Sequence, residues 1–348
     1  MADVFLKRVT YDELLKAPKI IEDCLNISKI TKNFKDKVAL KIHFGEKGNT
    51  SHINPNFLAP IVNLLKKNNL KPFLFETNTL YRGSRTNAID HINLAFGHGF
   101  GKLNIPIIIG DGINGSDSFE VVINKKHFKT CYLAQALKDI DSMLVLSHFT
   151  GHMLTGFGAA IKNLGMGCAS RKGKLAQHCD VSPHIDEKKC RGCFLCLKIC
   201  PAQAIEKRTD KSFIIEEKCI GCAQCISVCP VGAIDIIWSY EYNMISERIA
   251  EYAFAAAKDR NCAYINFCIF MTKECDCMNK ERNPYINDLG ILFSLDPVSI
   301  DKASIDLIIA SQKDDPIKKA HPQIDYLCQL NYAQAIGLGT QNYNLIEI

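Results

Sequence analysis

The chain has 348 residues, with 42 Lys and Arg against 37 Asp and Glu and 47% apolar residues. This composition is that of an ordinary globular protein of one large or two smaller domains, which excludes long-range disorder. The net charge of +5 is spread along the chain, and the single Trp238 stands alone. With no basic stripe and no interleaved aromatics, a nucleic-acid partner is not expected.

The longest apolar runs, such as 105–109 and 142–146, are far below the ~18 residues that span a bilayer. The first twenty residues also lack the layout of a secretory signal. The expectation is a cytoplasmic protein with no membrane partner.

In chain order, residues 38–44 (VALKIHF) read as a strand followed by a Gly-rich turn. Residues 56–67 have helical apolar spacing at Phe57, Ile61, Leu64 and Leu65. A short strand is expected over 72–76 and a helix over about 86–96. A third strand over 105–109 ends at Gly110-Asp111-Gly112. Residues 119–124 alternate apolar with polar and pair in a hairpin with 126–131, and 142–149 is another buried strand. Further on, Met244, Ile245, Ile249, Tyr252, Ala253 and Ala256 form a helical stripe. Residues 262–270 read as a strand, and 297–309 as a helix entered through Asp296-Pro297. The alternation predicts an α/β fold, a mostly parallel sheet flanked by helices. Its two parts are 1–186 and 239–348, interrupted at 187–238 by a small α+β insertion. No Pro/Gly/Ser-rich linker suggests separate beads.

The insertion follows from the cysteines, of which the chain has 17. A disulfide scaffold would be short and exported, so the expectation is metal ligation in a reducing compartment. Cys190, Cys193, Cys196 and Cys200 follow C-x2-C-x2-C-x3-C and precede Pro201. Cys219, Cys222, Cys225 and Cys229 repeat the pattern before Pro230, at a constant offset of 29 residues. Lys189, Gly192, Ala204 and Ile205 recur at the same offset as Lys218, Gly221, Ala233 and Ile234, which marks a duplicated module.

Three thiolates spaced three residues apart wrap one face of a cubane, and the fourth, before Pro, ligates the other cluster. One [4Fe–4S] cluster is therefore assigned to Cys190, Cys193, Cys196 and Cys229, and a second to Cys219, Cys222, Cys225 and Cys200. Gly192 and Gly221 would let the backbone approach the inorganic core. Paired zinc knuckles fit this pattern badly, because zinc takes four ligands from two C-x2-C units separated by a longer loop. Residues 187–238 thus resemble a bacterial-type two-[4Fe–4S] ferredoxin, each half a strand, a Cys loop, a short helix and a second strand.

In open α/β sheets ligands bind at the carboxyl ends of the strands. Lys41 and His43, two apart, share one face of their strand, and Glu46 follows. The next two strands end at Glu76-Thr77-Asn78 and at Asp111. The fourth ends in Ser147-His148-Phe149-Thr150-Gly151-His152, with Lys162 and Asn163 beyond. Lys41, His43, His148 and Lys162 are the catalytic candidates, holding or protonating a small anionic ligand. His148 and His152 form an H-x3-H pair, but Gly151 suggests a turn and no Glu follows the first His. Hydrogen bonding or a structural role is therefore preferred to metal ligation. Gly156-Phe157-Gly158-Ala159-Ala160-Ile161 falls short of a dinucleotide fingerprint and instead suits a close turn or another anion.

Cys275-Asp276-Cys277 can chelate one additional soft metal, hold one edge of a third cluster, or simply line a loop. Cys168 and Cys179, with His178 and His184, are either extra ligands or unrelated to any site. Cys24, Cys131, Cys262 and Cys328 have apolar neighbours and are expected in the core.

Three segments, KIHFGEKGN (41–49), AAIKNLGMGCASRKGK (159–174) and DPVSIDKASIDLI (296–308), together with the Cys-Asp-Cys, resemble the domain-of-unknown-function 362 family of iron–sulfur centre proteins. The resemblance implies an α/β domain carrying an inserted two-cluster ferredoxin and no particular substrate.

Three functions follow from these readings. The first is an iron–sulfur oxidoreductase in which two [4Fe–4S] clusters exchange single electrons with a site at the strand ends. The second is a metal or cluster carrier working through Cys275 and Cys277. The third is an electron-shuttling ferredoxin. A redox partner protein is expected, and an oxygen-sensitive pair of clusters suits an anaerobic or strongly reducing cytoplasm.

Overall fold

A strand covered on both faces must be apolar at nearly every position. Residues 142–148 (SMLVLSH) meet that demand, and all but the last are buried. The computed structural model describes the whole chain except residues 179–181, 237–240, 279 and 281–282. Cys179 and Trp238 therefore lie outside the described residues.

The strands are β1 (Ala2–Lys7), β2 (Lys37–Ile42), β3 (Lys71–Glu76), β4 (Ile107–Ile109), β5 (Ser118–Val122), β6 (Thr130–Ala134), β7 (Ser142–His148), β8 (Thr150–His152), β9 (Gly156–Gly158), β10 (His184–Ile185), β11 (Ile205–Arg208), β12 (Lys211–Ile214), β13 (Ile234–Asp235), β14 (Asn261–Cys268), β15 (Gly290–Ser294) and β16 (Tyr343–Glu347). Eight of them form the main sheet, in the order β16-β1-β15-β14-β7-β2-β3-β4. Strands β14, β7, β2, β3 and β4 are parallel neighbours. Only β15 runs against the strands beside it. The α/β class and the mostly parallel sheet are as expected.

The pleat sends alternate side chains to opposite faces. Val38, Leu40 and Ile42 of β2 join one apolar layer with the helices Ile20–Ser28 and Ala59–Lys67. Ala39, Met143 and Val145 join the other, beneath Ala160–Gly165, Tyr242–Ala257 and Pro297–Gln312. Ile161 and Leu164 precede the cysteine-rich stretch, and Ile245 and Ile249 follow it, yet all four share this layer. The chain on both sides of that stretch therefore builds one sheet and one helix layer.

Local signals hold in most places. Asp296 accepts hydrogen bonds from the Val298 and Ser299 amides and starts Pro297–Gln312. Asn87 caps Ala88–Gly97, so that helix begins two residues later than the apolar spacing suggests. The stretch 56–67 divides into a 3-10 turn, Pro55–Phe57, and the helix Ala59–Lys67. Strands β1, β15 and β16 are not anticipated: long-range pairing selects them rather than local pattern.

The chain moves outward from β2 to β3 and β4, then returns to lay β7 on the other side of β2. Strand order reverses there, which opens a crevice at the carboxyl ends of β2 and β7.

The cysteine-rich unit has its own small core of Ile205, Ile214, Ile226, Ile234 and Ile236, to which the main domain adds Leu80 and Leu175. Its strands pair crosswise: Ile185 faces Ile234, and Ile205 faces Ile214. A shift of 29 residues maps one pair onto the other, so the sequence repeat is a pseudo-twofold repeat in space. Strand β10 precedes the boundary expected at residue 187, because two residues are too short to register as a strand.

Candidate functional site

The crevice is a cavity of about 750 Å³. Lys41 and His43 from the β2 end line it, as do His148 from β7 and Lys162 from Ala160–Gly165. So do Cys275 and Cys277, on the loop after β14. The fold thus gathers in one place the four catalytic candidates and the Cys-x-Cys pair.

Most of these side chains are engaged with one another. Lys41 Nζ donates to Asn163 Oδ1 at 2.8 Å and pairs with Glu76 Oε1 at 3.0 Å, fully buried. Asn163 Nδ2 in turn donates to Leu146 O and Ser147 Oγ. The Gly45 amide donates to His43 Nδ1 at 3.0 Å, and the Arg85 guanidinium lies 2.7 Å from Nε2. Burial, then the charges of Arg85, Lys41 and Lys162, holds His43 well below its ordinary pKa, so it is neutral at pH 7. Arg85 also pairs with Glu46 and donates to the Tyr81 hydroxyl.

His148 Nδ1 lies 2.8 Å from Asp276 Oδ2, and Nε2 faces the Ile269 and Phe270 carbonyls at 3.1 and 3.2 Å. With acceptors on both sides the ring is an imidazolium. Burial pushes its pKa down, but Asp276 and the carbonyls outweigh burial and raise it. His148 has no lone pair to offer a metal. The H-x3-H pair is on neither a helix nor a turn: its two histidines close the successive strands β7 and β8 and take different partners.

Lys162 differs from the rest. Its ammonium has no hydrogen-bond or ion-pair partner among the described residues, and burial, followed by the Arg85 charge, lowers its pKa to about 8. Lys174, not singled out by the sequence, is also lowered to about 8 by burial, but it donates to Thr77 Oγ1 and Ala169 O.

Cys275 and Cys277 form a disulfide. Their sulfurs and one ring nitrogen of His152 all lie within 4.8 Å of one another, a group able to hold a metal ion. Two features bring His152 there. The Gly151 amide donates to Thr272 O at 2.8 Å, and a Cβ on Gly151 would sit 2.1 Å from Lys273 O. Only glycine lets β8 approach this loop so closely. Asp276, between the two cysteines, accepts from Ser51 Oγ at 2.6 Å as well as from His148. Sequence reading does not connect His152 with the Cys-x-Cys; Gly151 is the available signal, there read as a turn.

The eight repeat cysteines line two further, small cavities. Cys190, Cys193, Cys196 and Cys229 surround one, and Cys200, Cys219, Cys222 and Cys225 the other. Pseudo-symmetry extends to the hydrogen bonds: the Ala204 amide donates to Cys200 Sγ and the Ala233 amide to Cys229 Sγ, 29 residues apart. Gly192 and Gly221 both have positive φ, +63° and +65°. A Cβ on Gly192 would meet Asp210 O at 2.1 Å, so the close approach at this glycine is to protein backbone. Cys193 is exposed, whereas the second quartet adjoins Leu175 through Gly221 and lies within electrostatic reach of Arg171.

The remaining candidates separate clearly. Cys168 and Cys131 are fully buried and Cys24 nearly so, while Cys262 and Cys328 are partly covered. Burial raises the thiol pKa of Cys168 to about 11. His178 lines the main cavity, and His184 is exposed on β10. In the Gly156–Ile161 segment, both leading amides of the helix, Ala160 and Ile161, donate to Asp301, so neither is turned to a ligand.

These features define an α/β protein with a crevice at a sheet switch point, a Cys/His group able to hold a metal, and a cysteine-rich unit packed beside it. The chain belongs to the family described as domain of unknown function DUF362, whose model matches residues 38–306. No curated protein matches it. Among solved structures it is similar to a protein from Thermotoga maritima (12% identity, TM-score 0.43, covering 86% of this chain and 59% of that one). It is also similar to the lactate racemase apoprotein from Thermoanaerobacterium thermosaccharolyticum (13% identity, TM-score 0.40, covering 78% and 51%). The chain therefore spans little more than half the length of either. Among the described residues, no helix is long and apolar enough to cross a membrane.

Proposed function

We propose that this chain is an iron–sulfur redox protein that binds two [4Fe–4S] clusters and exchanges single electrons with a ligand held in the strand-end cavity. The observation that carries the reading is the partition of the cysteines: each crossed quartet encloses its own small cavity. The spacing of the sulfurs supports it too. Four thiolates on one zinc ion at ~2.3 Å sit only about 3.8 Å apart. Among the described residues, no three of these eight sulfurs come within 4.8 Å of one another. A larger inorganic core suits that spacing.

When bound, all-cysteine clusters supply one-electron chemistry over a wide range of potentials. The protein's own residues supply the rest. The exposed Cys193 leaves the first quartet open to a redox partner protein, while Leu175 and Leu80 join the unit's core to the domain that bears the cavity. Leu80, Lys162 and the apolar side chains Ile245 and Ile249 all line that cavity. The free Lys162 ammonium is suited to hold the anionic end of a ligand and to donate a proton to it. Lys41, His43 and His148, each bound to other side chains, orient the crevice walls.

The test is elemental analysis of protein purified without oxygen. Two cubanes require about eight irons and eight sulfides per chain. Zinc in the repeat with no acid-labile sulfide would sink the reading.

A further inference from the structure

We propose that His152, Cys275 and Cys277 form a redox-gated site for one soft or borderline cation such as Zn²⁺, with a coordination position open to the cavity beside Lys162. The site stands independently of the clusters, since it shares no residue with either quartet.

Three protein ligands of the right chemistry already converge within 4.8 Å. Two thiolates and one imidazole form a donor set that selects borderline cations, and three protein ligands leave one position for water or substrate. The scaffold is held before any cation arrives. Asp276 ties the ligand loop to Ser51 and His148 through its side chain, and to the Glu46 amide through its carbonyl. The loop's ligands are thus positioned by a buried residue that is not itself free to ligate.

The histidine has its outer partner in place. Without a cation, His152 Nδ1 accepts from the Leu154 amide at 3.3 Å. A cation on Nε2 requires the ring proton on Nδ1, where Thr155 Oγ1 waits at 2.9 Å. Thr155 is free to accept, because its own hydroxyl donates to Phe157 O at 2.7 Å. Such a partner fixes the tautomer and the ring orientation of a ligating histidine.

Charge balance favours the assignment. Two thiolates cancel a dication, so the site is neutral next to Lys162, and the ammonium then favours an anionic group at the open position.

The disulfide closes the site, since its sulfurs are bonded to each other. An external dithiol opens it. The reductant gives two electrons and two protons to the Cys275–Cys277 bond, producing two thiols, and itself becomes a disulfide. Cation binding then releases both thiol protons to solvent. The Cα atoms are 5.3 Å apart, so rotation about the Cα–Cβ bonds can separate the sulfurs with little backbone movement.

The experiment is zinc K-edge X-ray absorption on the full chain, purified without oxygen, reduced with a dithiol and given one equivalent of Zn²⁺. The expected shell holds two sulfurs at ~2.3 Å and one ring nitrogen at ~2.0–2.1 Å. Cys275→Ser should lose sulfur from that shell. Thr155→Val, which keeps all three ligands, should weaken zinc binding about 10–100-fold. A shell of four sulfurs, one of only oxygen and nitrogen, or equal uptake by diamide-oxidised protein would overturn the proposal. Iron and sulfide measured on the same sample separate the two readings. Full iron with no zinc uptake removes this site alone, and a correct zinc shell with no sulfide removes the clusters alone.

Discussion

His148 and Asp276 meet at 2.8 Å across 128 residues of chain, an ion pair buried between the end of β7 and the Cys-Asp-Cys loop. It fastens the loop that carries Cys275 and Cys277 to the central sheet. Burial alone pushes Asp276 up and His148 down, but their mutual attraction, with Ser51 on the carboxylate, reverses both shifts.

Removing one partner leaves a buried, unpaired charge. Asp276→Asn should therefore destabilise the protein by about 3–5 kcal/mol, read from denaturant unfolding. The pH dependence has a defined sign. Asp276 is held below its ordinary 3.8 and His148 above its ordinary 6.5, so the pair contributes fully between those values. Its contribution fades at lower pH as the carboxylate takes up a proton, and at higher pH as the imidazolium loses one. The difference in unfolding midpoint between wild type and Asp276→Asn should be widest near pH 5 and narrow on both sides.

The crossed quartets make a prediction that sequence order would reverse. Cys200→Ser should perturb the same cluster as Cys219→Ser, and Cys229→Ser the same one as Cys190→Ser. EPR of the reduced variants distinguishes the two signals. If Cys200→Ser instead matched Cys190→Ser, the pairing would be sequential.

Lys162 contributes an ammonium at an energetic cost. Its pKa of about 8 means that a carboxylate probe such as butyrate should bind progressively more weakly as pH rises through that value. Lys162→Met should abolish this pH dependence, weaken the probe by tenfold or more, and gain about 1–2 kcal/mol of stability by removing a buried charge. Calorimetric titration and thermal unfolding read the two effects separately.

Arg171 is buried, donates to Thr86 O and Asn114 O, and lies within electrostatic reach of Cys222 and Cys225. A nearby cation favours the more negative, reduced state of a cluster. Arg171→Met should therefore lower the reduction potential of the proposed second cluster and leave that of the first nearly unchanged. A redox titration followed by EPR measures both, and equal shifts would contradict the placement.

Much of this protein is written in local pattern. The cysteine repeat is legible because its spacing lies within neighbouring residues, and the duplication repeats it at a constant offset of 29. Strand β7 is legible because burial on both faces demands an apolar run, and the Asp296 cap because its acceptor and the amides it serves lie within three residues. What the tertiary structure alone decided are relations between distant segments. It paired His148 with Asp276, carried His152 to Cys275 and Cys277 through the bare backbone of Gly151, and chose β1, β15 and β16 to complete the sheet. It also divided four lysine and histidine candidates into three held by neighbours and one, Lys162, left free. Those outcomes depend on sheet register and on which charges share a buried space, and neither is a property of any short stretch of residues.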